Sequence, residues 1–510
     1  MQRNLVLVAS EAQLVLTRES LAHMQAELSR DRQVERYKIP QKTFGELEVF
    51  LYLYPTLDAI TPHLRRYPVD LLLYDERQGG VDAVVAMNQL QEDFHALAEL
   101  WGPDFQFPMG RTVVILEDRK DSPHRTFVLG REQVRDVLVA PDSLARILRF
   151  IGKLLAADLR HNQHKIGCAL SGGGLEGFLY QVGCSYALES SLKGRSFADC
   201  NLYSGVSSGS IVATILASKI PLEEVVASLF GKSERLPQMK GSSLYDFAGK
   251  EIISRIAKQS LRWSGLDPYQ WAQKFFRSIP TGFFKGDYLR EYIANAIVEY
   301  GGDDSFASLE RELIIGATSQ DNYEHVIFGA APWQDTKISD AVRASCALPP
   351  VFTPHTIAGK NYIDGQITRT CNLEWMVKRG CSLIFIIDPL KPYYTTHEEG
   401  MDAQGGVFNL IQTIKTLVYT RFRTALSHIT ERYPDVDFIV FQPYEECAQL
   451  MAGSPMKYKI NVEILRQAYV GTLRKLRIRH TVYENRLAKH GFQLISEKEL
   501  FEKEKASLGF

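Results

Sequence analysis

The chain has 510 residues, of which 45% are hydrophobic and 23% are charged, so we expect a globular protein of roughly two to four domains. Its formal net charge of -1 argues against general binding to nucleic acid, and its seven scattered cysteines form no CxxC pair that would indicate zinc and are typical of a reducing compartment. No run of about 18 apolar residues occurs, so we expect a cytoplasmic protein whose contact with membranes is peripheral.

The first part of the chain alternates strand-like and helix-like segments. Amphipathic runs, of which 19–32 is the first, separate four apolar runs, and this alternation predicts a small doubly wound α/β domain over residues 1–145. The predicted strands are Asn4–Ala9, Val69–Asp75, Arg111–Glu117 and Val134–Ala140. One long amphipathic run follows, so residues 146–164 are predicted to be a linker helix.

A second α/β pattern begins after the linker. The apolar run Lys165–Leu170 leads into the glycines of 172–177 and a helix-like run, and Leu202–Ser204 leads through a serine turn into the helix-like run 208–219. This order predicts parallel winding. Further strands are predicted at Glu312–Ala317, His325–Phe328, Asn361–Ile363, Leu383–Ile387 and Phe438–Phe441.

The second domain is placed at residues 165–390, with a helical C-terminal extension at 391–510. Residues 230–284 interrupt it with a segment of poor periodicity that is rich in lysine, arginine, serine and aromatic residues. Such a composition suits a lid or a membrane-contact segment. It equally suits a capping subdomain whose aromatic side chains form a small core, and the sequence leaves both interpretations open.

Ser207 lies in the sequence Gly205-Val206-Ser207-Ser208-Gly209, between a predicted strand and a predicted helix. In a Gly-x-Ser-x-Gly elbow, a sharp turn exposes the serine Oγ at the carboxyl end of the sheet, and the dipole of the next helix points at the site. The two glycines would permit close approach of the backbone. A glycine-softened turn with no chemical role is the alternative interpretation of this motif alone.

Residues 172–177 read Gly-Gly-Gly-Leu-Glu-Gly and follow a predicted strand. A glycine-rich loop can supply main-chain N–H groups to an oxyanion, so together with Ser207 it indicates acyl transfer by a serine hydrolase. The same spacing matches the dinucleotide-binding GxGxxG, which needs an acidic residue at the end of the next strand. Asp199 has the required spacing but precedes that strand. A plain glycine turn is the third interpretation.

A nucleophilic serine needs a base, for which histidine is the usual residue. Four histidines lie late enough in the chain for the order Ser-Asp-His, and none has a distinctive position at the end of a strand: His397, His428, His480 and His490. Asp364 does end a short predicted strand, in Tyr-Ile-Asp-Gly. Because Asp-Gly is also a common turn sequence, the spacing alone leaves the identity of the base open.

The order Gly-Gly-Gly-x-x-Gly, Gly-x-Ser-x-Gly and Asp-Gly resembles the patatin-like phospholipases. The segment 341–352, AVRASCALPPVF, is similar to the stretch that precedes Asp-Gly in that family. The resemblance covers about 165–390 and, more loosely, 455–476. It implies a three-layer α/β/α hydrolase domain that cleaves fatty acyl esters of phospholipids or lysophospholipids.

The resemblance also implies the roles of individual residues. Ser207 would attack the ester carbonyl, and Asp364 would act as general base and then as general acid, with no metal or cofactor required. The implied oxyanion hole consists of main-chain N–H groups of the loop formed by Gly172, Gly173, Gly174 and Leu175. Two positions depart from the family pattern, which has Arg or Lys in place of Glu176 and Gly or Ala in place of Gln366.

Residues 1–145 resemble a flavodoxin-like response-regulator receiver. Asp75 ends the strand at which that family carries its phosphoacceptor, and Glu11 resembles a remnant of the acidic metal pocket. The fourth strand, however, ends at Glu117 in place of Ser or Thr, and the fifth ends at Ala140 in place of the lysine that pairs with the phosphoryl group. We therefore expect a degenerate receiver that serves docking or homodimerisation.

Together these resemblances predict a bacterial lipid acyl hydrolase with a regulatory or dimerising N-terminal domain. Its expected partners are a phospholipid or lysophospholipid substrate, a membrane surface and a second copy of the chain, with no nucleic acid. A non-catalytic lipid-binding or signalling module on a patatin scaffold is the alternative. A nucleotide-binding α/β protein is disfavoured because the acidic residue for the ribose is missing.

Overall fold

Two large β-sheets, each with a hydrophobic cluster on both faces, form the framework of the protein. The computed structural model describes residues 2–238, 282–392, 406–451 and 458–508, apart from short gaps at 32–33, 41–42, 45–46, 65–66, 79, 102–106, 108, 142 and 162–164. Helices cover both faces of each sheet, which is the α/β architecture expected from the sequence. Most of the predicted insert at 230–284 lies outside the described residues.

Seven strands form the N-terminal sheet: β1 (Gln2–Ala9), β2 (Glu27–Asp31), β3 (Val34–Ile39), β4 (Glu48–Tyr54), β5 (Leu71–Asp75), β6 (Thr112–Leu116) and β7 (Asp136–Val139). Their order is β2-β3-β4-β1-β5-β6-β7. The last five run parallel in the 2-1-3-4-5 arrangement of flavodoxin-like folds, and β2 and β3 form an antiparallel hairpin at the edge.

Side chains of the N-terminal sheet alternate between two hydrophobic clusters. Along β1, Leu5 and Leu7 enter one cluster and Val6 and Val8 enter the other. The helices of this domain are α1 (Glu11–His23), α2 (Thr61–Leu64), α3 (Ala83–Trp101), α4 (Ser122–Arg131) and α5 (Leu144–His161). Because helices cover both faces, the central strands β1, β5 and β6 are almost continuously apolar, as the sequence analysis expects.

Several elements of this domain differ from their sequence-based expectation, because β2, β3 and β4 are not among the four predicted strands. The pattern at 19–32 predicts a helix, but α1 ends at His23 and β2 follows, paired with β3. Strand pairing supplies hydrogen-bond partners there and outweighs the local amphipathic pattern. The predicted linker helix is α5, and its Ile147 and Ile151 lie in the same cluster as Leu5. The helix therefore packs as part of the N-terminal core.

Ten further strands lie in the remaining described residues: β8 (Lys165–Leu170), β9 (Leu192–Lys193), β10 (Leu202–Val206), β11 (Glu312–Ser319), β12 (His325–Phe328), β13 (His355–Ile357), β14 (Lys360–Asp364), β15 (Cys381–Ile387), β16 (Asp437–Phe441) and β17 (Gln493–Leu494). Strands β9 and β17 pair with each other. The others form a sheet in the order β13-β14-β11-β10-β8-β15-β16, with β12 also paired to β11. Five neighbouring strands of this sheet, β11-β10-β8-β15-β16, run parallel to one another. Their carboxyl ends therefore meet at one edge of the sheet.

The helices of this second domain, in the described ranges, are α6 (Gly174–Ser191), α7 (Ser208–Ala217), α8 (Leu222–Leu229), α9 (Asp287–Glu299), α10 (Ile338–Ser345), α11 (Leu373–Lys378), α12 (Gly406–Arg432), α13 (Glu445–Leu450), α14 (Tyr458–Ile478), α15 (His480–Ala488) and α16 (Glu497–Leu508). Helices α6 and α7 cover one face of the sheet, and α11 and α12 cover the other. Among these helices, none has both the length and the apolar character that crossing a membrane requires.

Residues 391–510 contribute more than helices to the second domain. They supply β16, which extends the central sheet beside β15. They also supply α14, which runs so close to α6 that a Cβ on Gly183 would lie 2.5 Å from the carbonyl oxygen of Leu465. The C-terminal region is therefore built into the sheet and into the helical layer that surround the site described below.

Charged side chains join the N-terminal domain to the second domain. The Lys489 ammonium binds the Asp70 carboxylate, which also accepts a 2.9 Å hydrogen bond from Arg3. Burial acts to raise the pKa of Asp70, but the charges of Lys489 and Arg3 hold it below its usual value. Arg111 lies 3.5 Å from the Asp437 carboxylate at the same junction. Buried ion pairs of this kind are costly to break, which favours a defined contact between the domains.

Candidate active site

Ser207 occupies a sharp turn between β10 and α7. Its φ of 52° lies in the left-handed region, which is strained for a residue with a side chain. A Cβ on Gly205 would lie 2.4 Å from the Ser210 Cα, and one on Gly209 would lie 2.3 Å from the Leu170 carbonyl oxygen. Gly205 is therefore required by a contact within the turn and Gly209 by a contact with the end of β8, which agrees with the close backbone approach that the elbow motif predicts.

The main chain of Ser207 is held at both ends of the turn. Its N–H donates a 2.8 Å hydrogen bond to the Ser345 hydroxyl, which in turn donates to the carbonyl of Gly316 at 2.6 Å. Its carbonyl accepts hydrogen bonds from the N–H of Ser210 at 2.8 Å and from the Ser210 hydroxyl at 2.6 Å. These bonds offset the strain of the turn and fix the direction of the serine side chain.

The glycine-rich loop lies directly against this serine. A Cβ on Gly172 would come 2.6 Å from the Ser207 Cβ, and one on Gly173 would come 2.7 Å from the Pro389 ring. Gly174, with a φ of 65°, begins α6. The N–H groups in the first turn of a helix have no carbonyl partner within the helix, so they are available to a negatively charged oxygen beside Ser207.

Asp364 reaches the same edge of the sheet from β14. The register pairs Ala317 with Asp364 and Gly316 with Val206, so Asp364 lies level with Ser207, two strands away. The tight Asp-Gly turn is required here, because a Cβ on Gly365 would lie 2.3 Å from the Gly316 carbonyl oxygen. The structure therefore brings together the three motifs that the sequence analysis singled out.

The Asp364 carboxyl is buried and hydrogen-bonded. It accepts a 2.8 Å hydrogen bond from the N–H of Gln366, and the neighbouring Ser207 side chain also favours its charged form. Burial raises the pKa of Asp364 to about 7, even though the interactions with Ser207 and with the N–H of Gln366 act to lower it. A carboxyl that changes protonation near neutral pH is suited to accept and return a proton.

Two of the four histidines considered as a base have other partners. His480 hydrogen-bonds a main-chain carbonyl at 2.7 Å, and His490 lies 3.2 Å from the Asp437 carboxylate. His428 lines a cavity between α11 and α12, and His397 lies outside the described residues. Among the candidates for the base that lie in the described part of the chain, Asp364 is therefore the one placed beside Ser207.

Glu176, which replaces a basic residue of the family pattern, lies in the first turn of α6, where the charge of a lysine from α12 acts on it. Burial raises the pKa of Glu176, and the charge of Lys415 on α12 acts to lower it. Burial also lowers the pKa of Lys415, whose ammonium donates a 2.9 Å hydrogen bond to the Met451 carbonyl. The C-terminal region thus brings a positive charge to the start of α6, and no sequence motif marks Lys415 for this position.

The geometry disfavours a dinucleotide site at the glycine-rich loop. Asp199 lies before β10 and pairs with Arg311 at 2.5 Å. Because β8 and β10 are parallel, Asp199 lies at the opposite edge of the sheet from the loop that follows β8. It therefore cannot supply the acidic ribose contact that this type of site requires.

Asp75 lies in the N-terminal domain, at the end of β5, and its side chain is buried. The guanidinium of Arg77 donates to both carboxylate oxygens, with distances of 2.9 Å from Nε to Oδ1 and 2.7 Å from Nη2 to Oδ2. Arg77 also donates to the Pro141 carbonyl at 2.9 Å. Glu11 is exposed and lies 3.6 Å from Arg18. An arginine therefore occupies the carboxylate where a receiver would bind a metal or a phosphoryl group.

Comparison with solved structures found partial similarity to several proteins. The chain is similar to VipD from Legionella pneumophila, with 15% identity over 62% of this chain and 67% of that one and a TM-score of 0.31. It is also similar to ExoU from the type III secretion system of Pseudomonas aeruginosa, with 15% identity, 61% coverage of this chain and a TM-score of 0.28. The overlap spans 52% of the ExoU chain. A comparison with curated protein sequences gave no match.

A family model is more informative about the site. The model for patatin-like phospholipases matches residues 168–374. This range begins within β8 and ends at the start of α11, so it includes the glycine-rich loop, Ser207 and Asp364. Residues 168–374 are therefore a patatin-like phospholipase domain.

Proposed function

We propose that the chain is a lipid acyl hydrolase of the phospholipase A or lysophospholipase type, with Ser207 as nucleophile and Asp364 as general base. The observation that carries the proposal is the position of Ser207 level with Asp364 at one edge of the sheet, where burial raises the pKa of the Asp364 carboxyl to about 7. The family match over 168–374 supports a lipid ester as the substrate. Peripheral contact with the membrane that holds the lipid is part of the proposal.

In the proposed reaction, Ser207 Oγ attacks the ester carbonyl carbon while its proton passes to the Asp364 carboxylate. The oxyanion accepts hydrogen bonds from main-chain N–H groups in the loop from Gly172 to Leu175, where losing one donor typically costs about 3–4 kcal/mol of barrier. Asp364 then protonates the leaving alcohol, and the acyl chain stays on Ser207. A water molecule that Asp364 deprotonates releases the fatty acid and restores both residues.

A fluorophosphonate probe with an intact-mass readout tests the nucleophile. We expect one adduct on the wild type and none on Ser207→Ala. Ser171→Ala is a matched control, because Ser171 also hydrogen-bonds a buried aspartate, Asp388, at 2.6 Å but is itself fully buried. An adduct that persists on Ser207→Ala would contradict the proposal. Folded wild type that neither labels nor hydrolyses esters would favour a non-catalytic lipid-binding module.

We further propose that residues 1–145 form a degenerate receiver that docks without a phosphorylation switch. Two contacts support this role: Arg77 occupies both carboxylate oxygens of Asp75, and Lys489 of the second domain binds Asp70. The first removes the free carboxylate that phosphorylation requires. The second gives the domain a buried charged contact with the patatin-like domain and supports a regulatory or positioning role.

A further inference from the structure

Gln366 follows the Asp-Gly turn at a position where the patatin-like resemblance predicts Gly or Ala. Both of its main-chain polar groups are engaged. Its N–H donates to Asp364 Oδ1 at 2.8 Å, and its carbonyl accepts a hydrogen bond from the guanidinium of Arg421 on α12. The backbone of Gln366 therefore holds the proposed base. Its side-chain carboxamide takes no part in these bonds.

The side chain of Gln366 turns inward toward the nucleophile. It is only 6% exposed, and its Nε2 lies 2.6 Å from the position that a Cβ on Gly172 would occupy. The Ser207 Cβ lies 2.6 Å from that same position. The carboxamide and the nucleophile thus converge on one face of the glycine-rich loop.

Neither polar atom of the Gln366 carboxamide has a hydrogen-bond partner among the described residues. A carboxamide is both a donor, through its NH₂ group, and an acceptor, through its oxygen. Leaving such groups buried and unpaired is unfavourable, so a partner is expected from outside the protein. That partner must offer both an acceptor and a donor within reach of Ser207.

We propose that the Gln366 carboxamide binds the alcohol portion of the substrate and selects lysolipids, which are monoacyl esters with a free hydroxyl on the carbon next to the ester. The inference rests on the hydrolase function proposed above. An ester offers acceptors alone, so its oxygen takes the hydrogen bond from Nε2. The neighbouring hydroxyl donates to Oε1. A diacyl lipid has no donor at that carbon and leaves Oε1 unpaired.

The test compares two substrates on the wild-type protein: 1-palmitoyl lysophosphatidylcholine and its 2-deoxy analogue, which lacks the hydroxyl and adds no bulk. Both are presented at equal mole fraction in mixed detergent micelles. Because the analogue leaves a buried acceptor unpaired, we expect kcat/KM for the lysolipid to be at least about tenfold higher. Equal values, or a higher value for the analogue, overturn the inference.

A pair of variants assigns this discrimination to Gln366. Gln366→Leu keeps the approximate bulk but neither hydrogen-bonding group, so the ratio of the two kcat/KM values should fall to about one. Gln412 on α12 offers a matched control, because it is 4% exposed and its amide atoms also lack partners among the described residues. Gln412→Leu should keep the ratio. Loss of the ratio in both variants would indicate a general effect on packing and overturn the assignment.

Fluorophosphonate labelling keeps this inference separable from the hydrolase proposal. A wild type that labels at Ser207 and hydrolyses both substrates at equal rates retains the hydrolase and overturns the lysolipid preference. A folded wild type that neither labels nor hydrolyses either substrate overturns both. If kcat/KM is at least about tenfold higher for the lysolipid than for its analogue, and Gln366→Leu abolishes this difference, the hydrolase function and the lysolipid preference are both supported.

Discussion

The hydroxyl of Ser345 accepts a 2.8 Å hydrogen bond from the N–H of Ser207. Two residues later in the chain, the carbonyl of Ala347 accepts a 3.0 Å hydrogen bond from the N–H of Asp364. One short stretch at the end of α10 thus binds the main chain of both proposed catalytic residues. This stretch lies within the segment 341–352 that resembles the patatin-like phospholipases, and its contacts give a physical reason for that resemblance.

We therefore expect Ser345→Ala to weaken both folding and catalysis. The change leaves the N–H of Ser207 and the carbonyl of Gly316 buried without a partner, at a cost of about 1–3 kcal/mol in the free energy of unfolding. The kcat for a soluble ester should fall because the strained turn loses its support. Urea unfolding and steady-state kinetics measure the two effects.

Ser185 provides the control for that experiment. It is fully buried, and its hydroxyl has no hydrogen-bond partner among the described residues. Ser185→Ala removes a buried hydroxyl without orphaning another group, so it should cost less stability than Ser345→Ala and leave kcat unchanged. Equal effects of the two variants would argue against a specific role for Ser345.

The raised pKa of Asp364 predicts the pH dependence of the reaction. The proposed base must be deprotonated to accept the Ser207 proton, and burial raises its pKa to about 7. We expect kcat/KM for a soluble ester to rise about tenfold per pH unit below the midpoint and to level off above it. Rates measured from about pH 5 to about pH 9 check this expectation, and a flat profile across that range would count against Asp364 as the base.

The raised pKa of Asp364 also predicts how the stability of the fold depends on pH. Stability should fall as pH rises, whereas the rate should increase. Because the folded-state pKa of Asp364 is about 7 and the unfolded value is about 3.9, this group favours folding most below about pH 4 and loses that contribution as pH rises through about 7. Asp364→Asn stays neutral and can still accept the hydrogen bond from Gln366. In urea unfolding, the free energy of unfolding of Asp364→Asn minus that of the wild type should rise by roughly 2–4 kcal/mol between about pH 5 and about pH 8. If the difference in the free energy of unfolding between the two proteins does not change with pH, the raised pKa of Asp364 is contradicted.

Glu176 and Lys415 should behave as a coupled pair. Glu176→Lys places two cations together at the start of α6, and Lys415→Glu places two carboxylates there, so each single variant should be less stable than the wild type. The double variant restores opposite charges and should recover part of the loss. A double-mutant cycle by urea unfolding should give a coupling energy of about 0.5–3 kcal/mol.

The exposed pair Lys193 and Glu499 is a suitable reference for this cycle. Its charged atoms are 2.9 Å apart, but the two side chains are 58% and 49% exposed. Solvent screens such a pair, so its coupling energy should be clearly smaller than that of Glu176 and Lys415. Equal coupling in the two cycles would mean that burial at the start of α6 adds nothing to the interaction.

The sequence predicts those parts of the site whose geometry is local. Gly205, Gly209 and Gly365 lie in short motifs that mark a turn, and each meets backbone atoms of that turn or of an adjacent strand. Lys415 carries no such signal, and Ser345 is marked only by the resemblance of the segment 341–352 to the family and not by a motif that predicts its contact with Ser207. They reach the site through the packing of α10 and α12, and nothing in their neighbouring residues requires that position.

In the fold, too, the elements with a local sequence pattern can be predicted, and those that depend on distant pairing cannot. Strands buried on both faces, such as β1, β8 and β15, are continuous apolar runs and can be predicted from the sequence. Strand β2, with the sequence ELSRD, has no such run and becomes a strand by pairing with β3. The role of residues 391–510 in the central sheet likewise depends on the long-range pairing of β16 with β15.

The bidentate contact between Arg77 and Asp75 predicts that the N-terminal domain resists phosphorylation. Incubation of the wild type with acetyl phosphate and Mg²⁺ should leave its intact mass unchanged, because both carboxylate oxygens are bound and Ala140 replaces the lysine that would pair with a phosphoryl group. Arg77→Ala should lower the free energy of unfolding by about 3–5 kcal/mol, since it leaves a buried carboxylate uncompensated. A stable phosphate on Asp75 of the wild type would show that Arg77 yields to a phosphoryl donor, and the domain would then be a functional switch.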